Sequence, residues 1–200
     1  MFEESTRSLD EIADLQSEGY YLSKKFSLVG DVVIQSTDKV RFRLHKKDLA
    51  TFSGGFPPVE LISETNPSEI VHLSEGAIIL DLLFSFARAG RYPDIHTLEI
   101  KTLVALADAA EKYEVYSAVM ACKILMRVNL ERQPLQVFIY AEKYQYTDLL
   151  DETAIFVLGT PLLEMFEKIS NDLFKAWVGR RGHGAGCGPA EMWGFGLQNG

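Results

Sequence analysis

The stretch from Asp31 to Leu44 constrains the fold most. Asp31-Val32-Val33-Ile34-Gln35-Ser36 is a β-branched run, Thr37-Asp38-Lys39 reads as a turn, and Val40-Arg41-Phe42-Arg43-Leu44 alternates strictly between apolar and polar. Successive side chains of a strand point to opposite faces, so the pattern predicts a β-hairpin with one wet face formed by Arg41 and Arg43. Beyond the hairpin the chain is almost entirely helical in period. His45 to Phe52 reads as a short helix with Leu49 and Phe52 on one face, and Glu69 to Leu73 as a third short strand. Residues 53–68, with Gly54, Gly55, Pro57, Pro58 and Pro67, form a loop.

Ser74 is placed to N-cap a helix with Ile78, Ile79, Leu82, Leu83 and Phe86 at helical spacing and Gly90 at its C′ end. The period returns from Thr97, with Ile100, Leu103, Val104, Ala107 and Ala110 on one face. Tyr113 to Tyr116 breaks it, and Ser117 opens another helix through Met120, Ile124 and Leu125. Gln133-Pro134 marks a helix start, with Val137, Phe138, Ala141 and Tyr144 as its inner face. Thr147 caps a helix stopping near Gly159, Thr160-Pro161 starts one running to about Lys168, and Ser170 to Val178 adds a last turn or two.

A few strands followed by a run of helices predicts an α+β fold: a small sheet of about three strands, flanked and capped by a cluster of helices, with further C-terminal helices behind it. The ends read differently. Residues 1–25 are polar and carry one weak helical pattern, Leu9, Ile12, Ala13 and Leu15 after Ser8, which predicts a helix or a partly ordered arm. Residues 179–200 hold eight of the 15 glycines and almost no periodic apolar residues, which predicts a flexible tail. No repeat at a period of tens of residues is evident.

Composition excludes several function classes. Twenty basic against 28 acidic residues give a net charge of −8, which disfavours nucleic acid or anionic lipid as a main partner and leaves proteins open. Two cysteines, Cys122 and Cys187, make neither a disulfide framework nor a four-thiolate zinc site, so a reducing, intracellular setting in cytoplasm or nucleus is expected. The start, Met1-Phe2-Glu3-Glu4, lacks the basic and apolar regions of a secretory signal. The longest apolar stretch, Ala77 to Ala87, is broken by Asp81 and Ser85 and reads as a buried helix rather than a membrane span.

Catalytic and cofactor chemistry finds little support. No Gly-x-Ser-x-Gly elbow occurs, and Cys122 lies mid-helix among apolar neighbours, where cysteine acts as a small hydrophobe. The run Gly182-His183-Gly184-Ala185-Gly186-Cys187-Gly188 has glycines but lacks the Lys-Ser/Thr and the strand–helix context of a phosphate cradle. His45, His72, His96 and His183 are scattered, so neither a metal nor a cofactor is expected. Asp151-Glu152 and Glu3-Glu4 read as solvated faces rather than as catalytic dyads. The chain is read as a non-enzyme, with an enzyme of unknown class as the remote alternative.

The stretch from Phe26 to Met126 resembles the BTB/POZ domain. The resemblance rests on Asp31-Val32-Val33-Ile34, on Phe42, His45, Leu49 and Ser53 at the spacing Phe-x-x-His-x-x-x-Leu-x-x-x-Ser, on Leu82-Leu83-Phe84-Ser85-Phe86, and on Ala107-Asp108-Ala109-Ala110-Glu111-Lys112-Tyr113-Glu114-Val115. The wording, with Phe56-Pro57-Pro58 after the short helix, is similar to BTB proteins of mushroom-forming fungi. Pro134 to Leu150 is similar to the start of a BACK-type helical extension. The implied organisation is an arm at 1–25, a BTB/POZ domain at 26–128, a helical extension at 129–178 and a tail at 179–200.

The resemblance implies a protein–protein interaction module that forms a homodimer and recruits other proteins. A narrower use of the family is as a substrate adaptor that binds cullin in a ubiquitin ligase. Cullin-binding members carry an apolar-x-Glu motif before the helix at Thr97, and here Thr97 stands two places before Glu99. Asp31 is read as a buried carboxylate satisfied by backbone donors, His45 as hydrogen-bonded at the strand-to-helix junction, and Leu49 and Phe52 as core. Candidate interface residues are Ile12, Leu15, Tyr20 and Tyr21 in the arm, and Phe56 and Val59 in the loop.

Overall fold

The computed structural model describes residues 12–16, 19–26, 30–56 and 70–183. Val59 and residues 184–200, including Cys187, lie outside the described residues, as do Ser8 and Leu9. The fold is α+β. Five short strands form one mixed sheet: β1 (Ala13–Leu15), β2 (Tyr21–Ser23), β3 (Val32–Gln35), β4 (Val40–Leu44) and β5 (Ile70–His72), in the order β1-β2-β4-β3-β5. β3 and β4 are the hairpin, with Val32 opposite Leu44 and Ile34 opposite Phe42. The alternation sorts as the sequence dictates: Val32, Ile34, Val40, Phe42 and Leu44 are buried, and Arg43 is exposed.

The arm is a correction. Residues 13–15 and 21–23 are strands, not helix; β1 runs antiparallel to β2, and β2 parallel to β4. Among the described residues the sheet therefore has five strands rather than three. Three-residue strands are too short to show a period of two, and their pairing is tertiary, so the sequence offers no local signal for them. Gly19, at φ 77°, makes the turn between them, and its N–H donates to the carbonyl of Gln16.

α1 (Lys46–Phe52) continues the chain from β4, and α2 (Ala77–Phe86) packs on the sheet's dry side through Phe84 against Phe42. α2 buries eight of its ten residues, including Leu80, Leu82, Leu83, Phe84 and Phe86, as a helix that is apolar almost all round must. Phe42 and Phe84 meet edge to face at 5.3 Å between centroids, and Phe26 lies 6.1 and 6.0 Å from them, so a three-ring cluster welds β4 to α2. Phe52 is only half-buried, against its core reading; Leu49 alone of α1 is fully packed. Ser74 does not cap α2. Its N-cap position is Gly76, and Gly90 lies beyond the helix end at Phe86.

α3 (Ile100–Lys112) buries Leu103, Leu106, Ala107, Ala109 and Ala110, and α4 (Tyr116–Val128) follows after a tight joint. In α4, Ala118, Val119, Cys122, Leu125 and Met126 are buried, whereas Met120 and Ile124 are exposed at 59% and 56%. The contacts divide the chain into units Met1–Ile124 and Leu125–Gly200.

The second unit continues with α5 (Pro134–Lys143), α6 (Thr147–Val157), α7 (Leu162–Lys168) and α8 (Asn171–His183). Pro134 occupies the first helical position, as read. Val137, Phe138 and Ala141 pack inside with Leu149, Leu150 and Val157. The last helix is longer than a turn or two and runs past Val178, into residues expected to be tail. Fully buried Trp177 and buried Leu173 anchor it. Arg127 pairs with Asp148 and with Glu152, its Nε 3.0 Å from Oε2.

One internal duplication went unrecognised in the sequence. Ala110-Glu111-Lys112-Tyr113 recurs as Ala141-Glu142-Lys143-Tyr144, and each ends a helix in the same joint. Glu114 and Gln145 both adopt left-handed backbone, at φ 53° and 55°. The amide of Val115 donates to the carbonyl of Ala110 at 2.9 Å, and that of Tyr146 to Ala141 at 2.8 Å. This is the crossed bonding that closes a helix C-terminus. The match covers one joint rather than a whole repeat, which is why no period shows in the sequence.

Candidate interaction surface

The signature residues gather where β4 enters α1. The Asp31 side chain accepts the backbone N–H of Lys46 at 2.8 Å, taking one of the donors that a helix start leaves unpaired. Asp31 is exposed rather than buried, because the donor it serves lies at the surface. His45 is also a correction. It is exposed, its Nδ1 is 3.9 Å from Asp31, and it contributes chiefly its carbonyl, which accepts the amides of Asp48 and Leu49. Phe42 is wholly buried and Leu49 nearly so. Ser53 closes α1 by donating its hydroxyl to the Leu49 carbonyl at 2.6 Å. The set is a strand-to-helix corner, and its chemistry is structural.

The interface candidates part ways. Ile12 is buried, at 8% exposure. Phe56 stacks on Tyr113, centroids 4.5 Å apart and planes 11° from parallel, and so packs within the chain. Tyr20 is half-buried beneath the Arg41 guanidinium, 3.6 Å from its ring centre, and Tyr21 is half-buried in β2. Leu15 is the arm residue left in the open, at 65% exposure on β1, an outer strand of the sheet.

A larger apolar face was missed. Tyr116, Met120 and Ile124 fall four residues apart along α4, each more than half exposed. Side chains at i, i+4 and i+8 share one face, so they form a stripe. The spacing was visible in the sequence; what the sequence could not show is that Val119, Cys122 and Met126 take the inward face instead.

One polar cluster also escaped notice. Glu75 receives Lys112 Nζ at 2.7 Å on Oε1 and the Tyr113 hydroxyl at 2.7 Å on Oε2, and Lys112 also reaches Ser74 Oγ. Burial raises the Glu75 carboxyl, but hydrogen bonds from Lys112, Tyr113 and Ser74 outweigh it and hold the group below the usual carboxylate value. Burial, helped by the neighbouring Glu75, pushes the Tyr113 hydroxyl up to about 12. The three groups join β5's exit to the α3–α4 joint.

No family model and no curated protein matches the chain. Cys122 is wholly buried, and burial, aided by the Glu111 charge, pushes its thiol up to about 12, so it stays protonated and packs as a hydrophobe. Among the described residues no three His, Cys, Asp or Glu side chains gather as metal ligands would, and no helix is long and apolar enough to cross a membrane.

Proposed function

We propose that the chain is a non-enzymatic protein–protein interaction module of the BTB/POZ kind, which self-associates and recruits other proteins. The observation that carries this reading is the apolar stripe of Tyr116, Met120 and Ile124 on α4, exposed at 65%, 59% and 56%. Large apolar side chains aligned on one helix face lower their free energy by leaving water, at about 25 cal/mol per Å² covered. Leu15 on the outer strand β1 supplies a second contact of the same kind. The strand-to-helix corner at Asp31, Phe42, His45, Leu49 and Ser53 supports the BTB/POZ assignment, since those residues hold the spacing of the family motif and build one local element.

Light scattering coupled to size exclusion tests the reading. The full chain is compared with Leu15→Asp and with a Met120→Asp/Ile124→Asp pair. All three positions are exposed, so the variants keep the core intact. The expected outcome is a wild-type mass of twice the monomer and a shift to monomer in at least one variant, which names the surface used. An identical dimer in both would show that neither surface holds it together and would overturn the assignment to these residues.

A further inference from the structure

We propose that a cation-rimmed pocket in the first unit binds an acidic peptide segment of a partner protein, with its carboxylates on Arg43 and Arg88. The proposal rests on the interaction-module reading and names the chemistry of the partner. The pocket has a volume of about 220 Å³, room for a single side chain. Phe26 and Phe84, both almost wholly buried, lie beneath it, and its lining carries Lys25, Arg43, His45 and Arg88. Lys25, Arg43 and Arg88 are fixed positive charges. Among the described residues one lining carboxylate, Asp48, stands against them, with Asp31 just outside, 3.9 Å from His45.

The cations differ in what already engages them. Lys25 donates to Ser85 Oγ, and Lys25 and Arg88 both lie near the Phe26 ring, at 5.6 and 5.0 Å from its centre. No carboxylate of the described residues lies within 4.0 Å of Arg43 or Arg88. Arg43 is exposed on β4 and Arg88 half-exposed after α2, so both guanidinium groups can turn toward an anion. Guanidinium presents paired donors that match a carboxylate, and a cleft of one sign concentrates its field. A nucleic acid would need an extended cationic stripe, which one pocket in an acidic chain does not provide.

Fluorescence anisotropy with a labelled, C-terminally amidated peptide Asp-Glu-Leu-Asp-Glu tests the proposal on the full chain. Saturable binding is expected, and the neutral counterpart Asn-Gln-Leu-Asn-Gln should bind at least tenfold more weakly, since it loses the charge-assisted contacts to both arginines. The pair Arg43→Glu/Arg88→Glu should weaken binding at least as much, and Arg43→Gln/Arg88→Gln by less. Lys101→Glu, an exposed charge reversal on α3 away from the pocket, should leave affinity unchanged. No saturation, equal binding of the neutral peptide, or an equal loss in Lys101→Glu would overturn it. So would full displacement by inorganic phosphate at concentrations equal to the peptide's, which would make the site one for a free anion. Light scattering on the same samples separates the two readings: a dimer that ignores the peptide contradicts the pocket alone, and a monomer that binds it contradicts self-association alone.

Discussion

Asp38, in the turn between β3 and β4, caps the helix that begins 39 residues later: its carboxylate oxygens accept the amide N–H of Ala77 at 2.9 and 3.2 Å. Ser36 holds the carboxylate in place by donating its hydroxyl at 2.6 Å. The hairpin turn thus supplies the side-chain cap that Gly76 cannot give. Asp38→Ala should lower unfolding stability by about 1 kcal/mol, the usual worth of an N-cap, and Asp38→Asn should lose less, since an amide oxygen still accepts. Urea denaturation followed by circular dichroism measures both; equal stability of all three proteins would show the cap to be unimportant.

The Glu75 cluster predicts acid sensitivity. The folded carboxyl titrates below its ordinary value of 4.5, so the folded state binds this proton less readily than the unfolded chain. Its contribution is complete above that ordinary value and is lost as pH falls through the lowered one. Glu75→Gln should flatten the stability profile below about pH 4.5, where the unfolded carboxyl begins to protonate. Chemical denaturation across that range is the check, and parallel wild-type and mutant profiles would exclude the mechanism.

Gly55 lies where the 53–56 segment crosses the α3–α4 joint. Its N–H donates to the Tyr113 carbonyl at 3.0 Å, and a Cβ built there would lie 2.7 Å from the Lys112 carbonyl oxygen and 2.8 Å from Tyr113 backbone. Backbone cannot step aside as a side chain would. Gly55→Ala should cost about 1–3 kcal/mol, the range for forced overpacking. Gly159→Ala is the control, since nothing lies within 4 Å of that position; similar melting temperatures for the two would refute the close approach.

The duplicated joint makes a prediction of its own. Glu114 and Gln145 hold left-handed backbone that costs an L-residue about 1 kcal/mol and glycine far less. Gln145→Gly should therefore raise stability by roughly 0.5–1 kcal/mol, although glycine in a helix interior would lower it. A drop on substitution, read by differential scanning calorimetry, would contradict the assigned conformation.

Legibility followed the range of the forces. The hairpin was readable because five alternating residues, Val40 to Leu44, encode a face within one strand. α5 was readable because Pro134 and an apolar period agree. β1 and β2 were not, because three residues carry no period and their partners are set by the sheet. The Asp38 cap was hidden by sequence distance, and Ser74 stood nearer as a plausible substitute. His45 and Asp31 were located by motif, but motif spacing says nothing of exposure. The pocket was illegible for the same reason: Lys25, Arg43 and Arg88 come from three separate segments, and Arg43 read only as a wet face.

Self-association underlies the whole functional reading, and sedimentation equilibrium of the full chain over a wide concentration range decides it. The expected mass rises from 22.5 kDa toward twice that value with concentration, or stays at twice throughout. A single species at 22.5 kDa at every concentration would contradict self-association.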